Sequence, residues 1–271
     1  PFCHCPFCTT ARRVGGKNLR RRSSIIINDD LLVDLGPDIM GASYEYKIDL
    51  SRISICLQTH AHEDHFDPEM IISRHAGYGT DIAKDLLLVG SRETLEAMDA
   101  AIGRRCDYGS IFESKVQADL KIGLLPAAPF TPYQVGDYRV TGLPANHGPR
   151  RQGCFLFKIE YMGKCLFYGT DTSVIFAEVW DHLETTRTRL DLVILDYTYG
   201  IGYDSKPADH LGAKDFIEHV QRFRKSGLLK DNGEVYATHI SHEGALEYSA
   251  FDGYAREHGF RIAYDGLAIE I

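Results

Sequence analysis

The chain has 271 residues, of which 44% are hydrophobic and 25% charged, and a formal net charge of -8. It is long enough to bury a large core, and no apolar run approaches the roughly 20 residues that cross a bilayer. The acidic balance excludes a general polyanion-binding surface, because affinity for nucleic acid comes largely from Lys and Arg neutralising phosphates.

From the N-terminus, Cys3, Cys5 and Cys8 crowd together, where disulfides between neighbours would be strained and thiolate ligation of a metal would not. A reducing, cytoplasmic compartment is expected. The chain opens without an initiator Met or a signal-peptide pattern, as if a preceding segment had been removed. Residues 1–22 also carry Arg12, Arg13, Lys17, Arg20, Arg21 and Arg22 with no Asp or Glu, and a solvated face is expected for most of them. Cys56, Cys154 and Cys165 lie in apolar stretches and read as buried hydrophobes, while Cys106 receives no role.

Runs rich in β-branched and aromatic residues predict strands at 24–28, 31–35, 53–58, 86–89, 138–143, 154–161, 164–168, 192–195, 234–237 and 261–264. Asn28-Asp29-Asp30 and Met162-Gly163 are turn signals that make hairpins of the flanking pairs. Helical patterns cover 68–75, 91–103, 173–185 and 213–225, the second with Ser91 as N-cap and Glu93 in its first turn. Residues 107–132 read as loop with one or two short strands. Strand hairpins followed by alternating strands and helices predict sheets covered by helices, in a single domain over 1–271.

Four of these strands end directly on His or Asp. Residues 53–58 lead into Thr59-His60-Ala61-His62-Glu63-Asp64-His65, and 138–143 into Pro144-Ala145-Asn146-His147. Likewise 164–168 leads into Gly169-Thr170-Asp171, and 234–237 into Thr238-His239-Ile240-Ser241-His242. Loops at strand ends carry ligands that the sheet holds rigid. Several imidazoles with two carboxylates suit a pair of neighbouring cations. One such His alone would read as an ordinary hydrogen-bonded residue; the joint pattern does not.

His60-x-His62-x-Asp64-His65 followed by His147, Asp171 and His239 resembles the ligand series of the metallo-β-lactamase superfamily, and Leu32-Val33-Asp34-Leu35-Gly36 resembles that fold's second-strand segment. The resemblance implies an αβ/βα four-layer sandwich with two mixed β-sheets flanked by helices. It also implies that His60, His62 and His147 hold one divalent ion, that Asp64, His65 and His239 hold another, and that Asp171 bridges them. Manganese, zinc and iron are the candidate metals.

The cysteine cluster and Thr238-His239-Ile240-Ser241-His242 further resemble the PhnP-type phosphodiesterases, which implies a structural zinc on Cys3, Cys5, Cys8 and His242. His4 is the competing fourth ligand. The same resemblance makes His210, in Ala208-Asp209-His210-Leu211, a candidate general acid or phosphate contact. Helix capping or surface exposure is the competing account of His210, and Asp196 reads as a supporting carboxylate. Two differences stand out: the first strand and glycine-rich turn that precede the cysteines in those enzymes are missing, and the region 77–131 is longer.

The expected function is hydrolysis of a small, anionic cyclic phosphodiester. A hydroxide generated by two metal ions attacks phosphorus, Asp64 and Asp171 orient it, and His210 assists departure of the leaving group. An RNA-processing nuclease, a lactone or thioester hydrolase and a non-catalytic metal-binding protein are the alternatives. No membrane partner is expected, the charge counts against nucleic acid, and a homodimer stays open.

Overall fold

Short aliphatic and β-branched runs become strands throughout the computed structural model, which describes residues 2–271. The helices are α1 (Pro6–Val14), α2 (Ile39–Tyr46), α3 (Glu69–Ile72), α4 (Arg92–Gly103), α5 (Ser114–Leu120), α6 (Ala177–Thr185), α7 (Ala213–Lys225) and α8 (Tyr248–Glu257). Two units divide the chain, one of 22–131 with 151–155, the other of the N-terminal segment through Arg21 with 132–150 and 156–271.

The first unit holds a sheet in the order β1 (Ile25–Ile27), β2 (Leu31–Val33), β3 (Ile55–Leu57), β4 (Leu86–Gly90) and β5 (Ile122–Pro126). β1 and β2 form an antiparallel hairpin and the remaining neighbours are parallel, so the sheet is mixed. The hairpin turns on Asn28 (φ 49°) and Asp29 (φ 66°), two residue types that tolerate the left-handed region a tight hairpin requires. Helix α4 starts on Ser91, whose side chain accepts the Thr94 amide, and buries Leu95, Met98 and Ile102. That stripe joins Leu88, Ile111, Val116 and Leu120 in one core.

The second unit holds β6 (Pro132–Val135), β7 (Tyr138–Pro144), β8 (Phe155–Tyr161), β9 (Lys164–Gly169), β10 (Leu190–Asp196), β11 (Leu229–Thr238) and β12 (Arg261–Ile262). They are ordered β12-β11-β10-β9-β8-β7-β6. Strands β9 to β12 run parallel, whereas β8–β9 and β6–β7 are antiparallel, so this sheet is mixed too. Met162 (φ 45°) and Gly163 (φ 79°) make the β8–β9 turn. Helix α7 buries Ala213, Phe216, His219, Val220 and Phe223, the three- and four-residue spacing of a one-sided helix, with Phe223 against Phe167 and Trp180.

The stretch 107–132 contains the short strand β5 and reaches the start of β6, in line with the one or two short strands expected there, and adds the helix α5. The helix expected over 68–75 shortens to Glu69–Ile72, and the one expected from residue 173 begins at Ala177. In the latter case the polar groups of residues 172–175 are bonded to Asn146 and His219. Helices α1, α2, α5 and α8 bury only one or two residues each, too few to register as periodicity.

Cys56, Cys154 and Cys165 are buried as expected. Arg12, Arg13, Lys17 and Arg22 are exposed, and Arg21 pairs with Asp265 at 3.2 Å. Arg20 departs from a solvated face. Its guanidinium nitrogens are buried without a hydrogen-bond partner among the described residues, near the Phe7 ring, and burial pushes its pKa down to about 10. No helix among the described residues is long and apolar enough to cross a membrane.

His219 gives this fold an acid-sensitive element. It is 6% exposed, and burial lowers its pKa from 6.5 to about 4, so the unfolded chain binds the proton more readily. Its contribution to stability is therefore complete above pH 6.5 and is lost as pH falls towards 4, about 3 kcal/mol at most. Urea unfolding of the wild type and of His219→Gln at pH 7 and pH 4.5 should show a steeper acid loss in the wild type. Equal losses would contradict a buried neutral imidazole.

Candidate metal centre

In the first unit, β3 delivers Gln58, Thr59 and His60 beside Asp34, which follows β2. Asp34 is fully buried, and its carboxylate accepts the Thr59 amide (2.8 Å), the Thr59 hydroxyl (2.8 Å), the Gln58 side-chain amide (3.2 Å) and His65 Nδ1–H (2.7 Å). Burial pushes the Asp34 pKa up, and the His65 ring and the Thr59 donors pull it back.

These bonds set tautomers. His65 gives its Nδ1 proton to Asp34, which leaves the Nε2 lone pair for another partner, and that atom lies 3.4 Å from Asp64 Oδ2. Thr59 Oγ1 donates to Asp34 and so accepts from His60 Nδ1 at 3.0 Å, freeing the His60 Nε2 lone pair in the same way. His60 Nε2 and His62 Nδ1 then converge at 3.0 Å. Gly36 fixes the turn, because a Cβ there would stand 2.7 Å from the Asp64 carbonyl oxygen.

The second unit repeats the device around Asp196, the last residue of β10 and fully buried. Asp196 accepts from the Asp171 amide (3.1 Å), the Thr198 amide (3.0 Å), the Thr198 hydroxyl (3.1 Å), the Leu211 amide (3.1 Å) and His210 Nδ1–H (2.9 Å). These five donors surround the carboxylate and make its burial tolerable. Thr198 Oγ1 meets His239 Nδ1 at 2.7 Å, and His147 Nδ1–H donates to the Asp209 carbonyl at 3.0 Å.

Both imidazoles therefore direct Nε2 at one carboxylate: His239 lies 3.1 Å from Asp171 Oδ1 and His147 lies 3.5 Å from Asp171 Oδ2. The His210 ring sits beside both, with centroids 5.0 Å from His147 and 5.1 Å from His239. Burial lowers the His210 pKa, the Asp196 carboxylate raises it, and the balance is upward. Asp34 (φ 65°), Asp171 (φ 52°) and His239 (φ 54°) all occupy the left-handed region, a strain that the surrounding bonds hold in place.

Cys3, Cys5, Cys8 and His242 also gather within this unit, all ligand atoms within 4.8 Å of one another. His242 Nδ1 lies 3.3 Å from Cys5 Sγ and 3.5 Å from Cys8 Sγ, close to the roughly 3.6 Å that separates a nitrogen from a sulfur ligand around a tetrahedral zinc. Cys5 caps α1 and Pro6 opens it, so a helix start rather than an open loop presents the thiols. The Cys8 amide and the His242 ring pull the Cys5 pKa down to about 6, while loss of water and its neighbour Cys5 push Cys8 up to about 11. His4 is exposed and stands outside the cluster.

Among the supports, Asp196 alone is legible from the sequence; Asp34 reads there only as part of a strand segment, and Thr59, Gln58, Thr198 and Asp209 have no role there. The chain does carry a signal, since a carboxylate ends β10 and another directly follows β2, as imidazoles follow other strands.

A family profile described as "Beta-lactamase superfamily domain" matches residues 30–240. Among solved structures, a diphosphatase from the PhnP family is similar at a TM-score of 0.70 and 17% identity, covering 98% of this chain and 89% of that one. Zn(2+)-bound PqqB from Methylobacterium extorquens aligns at 0.63 and 15% identity, covering 100% and 94%. Human tRNase Z, short form, aligns at 0.61 and 15%, covering 92% and 91%. No curated protein matches the chain by sequence.

The carboxylate supports can be tested directly. Asp34→Asn should weaken retention of metal against a chelator by about 10–100-fold, since an amide cannot accept from all four donors at once. Retention equal to the wild type would show that Asp34 does not orient His65.

Proposed function

Because the chain belongs to the metallo-β-lactamase superfamily, we propose that it is a two-metal phosphodiesterase acting on a small anionic phosphate ester, most simply a cyclic one, through a single catalytic domain. The observation that carries this reading is Asp171, whose two oxygens are addressed by two different imidazoles, each with its Nδ1 already engaged. A carboxylate so disposed suits a bridge between two cations.

In this reading His60, His62 and His147 hold one ion, Asp64, His65 and His239 hold the other, and Asp171 joins them. When bound, the ions supply positive charge for the phosphoryl oxygens and acidify a coordinated water. The chain's own part is positional and protic. Asp34 and Thr59 keep two imidazoles in the ligating tautomer, and Asp64 and Asp171 orient the attacking water. His210, held through Nδ1 by Asp196, gives the proton on Nε2 to the departing alkoxide oxygen. A structural zinc on Cys3, Cys5, Cys8 and His242 completes the scheme, and three unoxidised thiols together suit a reducing compartment.

Phosphate chemistry is favoured over lactone hydrolysis by fold likeness to the PhnP-family diphosphatase. An RNA substrate, as for tRNase Z, fits poorly with the net charge of -8. The purified chain, loaded with manganese or zinc, should hydrolyse bis(p-nitrophenyl) phosphate and a cyclic nucleotide but not a lactone. Turnover of lactones alone would overturn the proposal, and precursor RNA as the preferred substrate would redirect it.

Asp64→Ala should lower kcat on the order of 10²-fold or more with an unchanged circular dichroism spectrum. Full activity in that variant would remove Asp64 from the centre. Cys5→Ser should reduce the metal content from about three ions per chain to about two and lower Tm. A purely kinetic effect there would speak against a structural zinc.

A further inference from the structure

The four residues that follow Asp171 are bonded at several points to Asn146 and His219. The Thr172 hydroxyl accepts the Asn146 amide (3.1 Å), and the Ser173 amide donates to the Asn146 carbonyl (2.9 Å). The Val174 carbonyl accepts the Asn146 side-chain amide (2.8 Å), and the Ile175 amide donates to His219 Nε2 (3.0 Å). Asn146 precedes His147 in sequence, and His219 projects from the second turn of α7. Residues 172–175 thus form a strap stitched to the His147 loop along its length and closed at its far end by one buried imidazole.

We propose that His219 is a positioning residue for the metal centre, holding Asp171 and His147 in register by capping the strap at Ile175. The inference rests on reading Asp171 as the metal bridge.

Several observations explain why an imidazole stands there. The Ile175 amide is buried at the contact and would lack an acceptor beside an aliphatic residue. His219 can accept it through Nε2 because its other nitrogen is bonded to the Asp215 backbone one helical turn earlier. The Trp180 ring packs against it in a T-shaped arrangement, centroids 5.5 Å apart. Asp171 itself needs restraint from both sides, since its φ of 52° is a conformation an unrestrained Asp leaves readily. On the N-terminal side Asp196 accepts its amide; on the C-terminal side the strap is the restraint. Helix α7 begins at Ala213, directly after the His210-Leu211-Gly212 segment anchored on Asp196, so the cap is delivered by an element already tied to the site.

A bland role for His219, packing against Trp180, predicts a loss of stability and nothing more. The test compares wild type, His219→Leu, His219→Gln and Asn146→Ala, each kept well below its Tm. Three quantities are measured: amide exchange of the 172–176 peptide, affinity for zinc or manganese by competition with a chromogenic chelator, and kcat and KM for bis(p-nitrophenyl) phosphate.

The Leu and Ala variants should exchange faster in the strap, bind metal about 10–100-fold more weakly and lose kcat with KM nearly unchanged. The Gln variant, whose Oε1 can occupy the place of Nε2, should stay within a few-fold of wild type. Wild-type metal affinity and kcat in both the Leu and Ala variants would overturn the proposal, as would a Gln variant no better than Leu. If His219→Leu does not fold, Asn146→Ala and His219→Gln decide alone. Absence of metal binding by the wild type would instead sink the functional reading, and strap exchange would then settle the structural claim by itself.

Discussion

An imidazole can offer its Nε2 lone pair to a cation only while its proton stays on Nδ1, and that requirement organises both units. Each buries one carboxylate completely, Asp34 after β2 and Asp196 at the end of β10. Each then relays through a threonine hydroxyl to a ligand-type ring: Asp34 to Thr59 to His60, and Asp196 to Thr198 to His239. A second ring, His65 or His210, binds the carboxylate directly. Burying a carboxylate is costly unless donors surround it. The same donors that make burial tolerable also decide which nitrogen of each ring carries the proton.

Such a site is assembled against electrostatic preference. Asp171 and Asp196 lie in one neighbourhood, and with the protons on Nδ1 the Nε2 lone pairs of His147 and His239 face the Asp171 oxygens, which repel them. Cations reverse the sign of those interactions, so metal affinity and folding stability are expected to be linked in this chain. The strap from Thr172 to Ile175 and the close contact at Gly36 limit the positions that the backbone at Asp171 and Asp64 can take.

Much of this was legible in the sequence because strands ending on His or Asp are a local signal. The metallo-β-lactamase resemblance, the two mixed sheets, both hairpins, and the cysteines with His242 followed from residues close together in the chain or from recurring motifs. The supports were harder to read. Asp34 and Thr59 are 25 positions apart and meet only when β2 and β3 pair. Asn146 and Thr172 are 26 apart, and nothing in the residues around either announces the other. Helices α1 and α8 escaped notice for a different reason: each buries so little that periodicity carries almost no information.

Three left-handed residues, Asp34, Asp171 and His239, stand at strand ends within or beside the ligand-type clusters. A β-branched side chain would clash in that conformation, whereas Asp and His tolerate it better and glycine tolerates it freely. The backbone therefore acts as a filter on drift. A replacement at these positions must satisfy the turn before it can be tried for chemistry, and the only residue that satisfies the turn without strain carries no ligand at all. Loss of activity at such a position leaves glycine as the easy exit, and a return from glycine restores function only through the few side chains the turn admits.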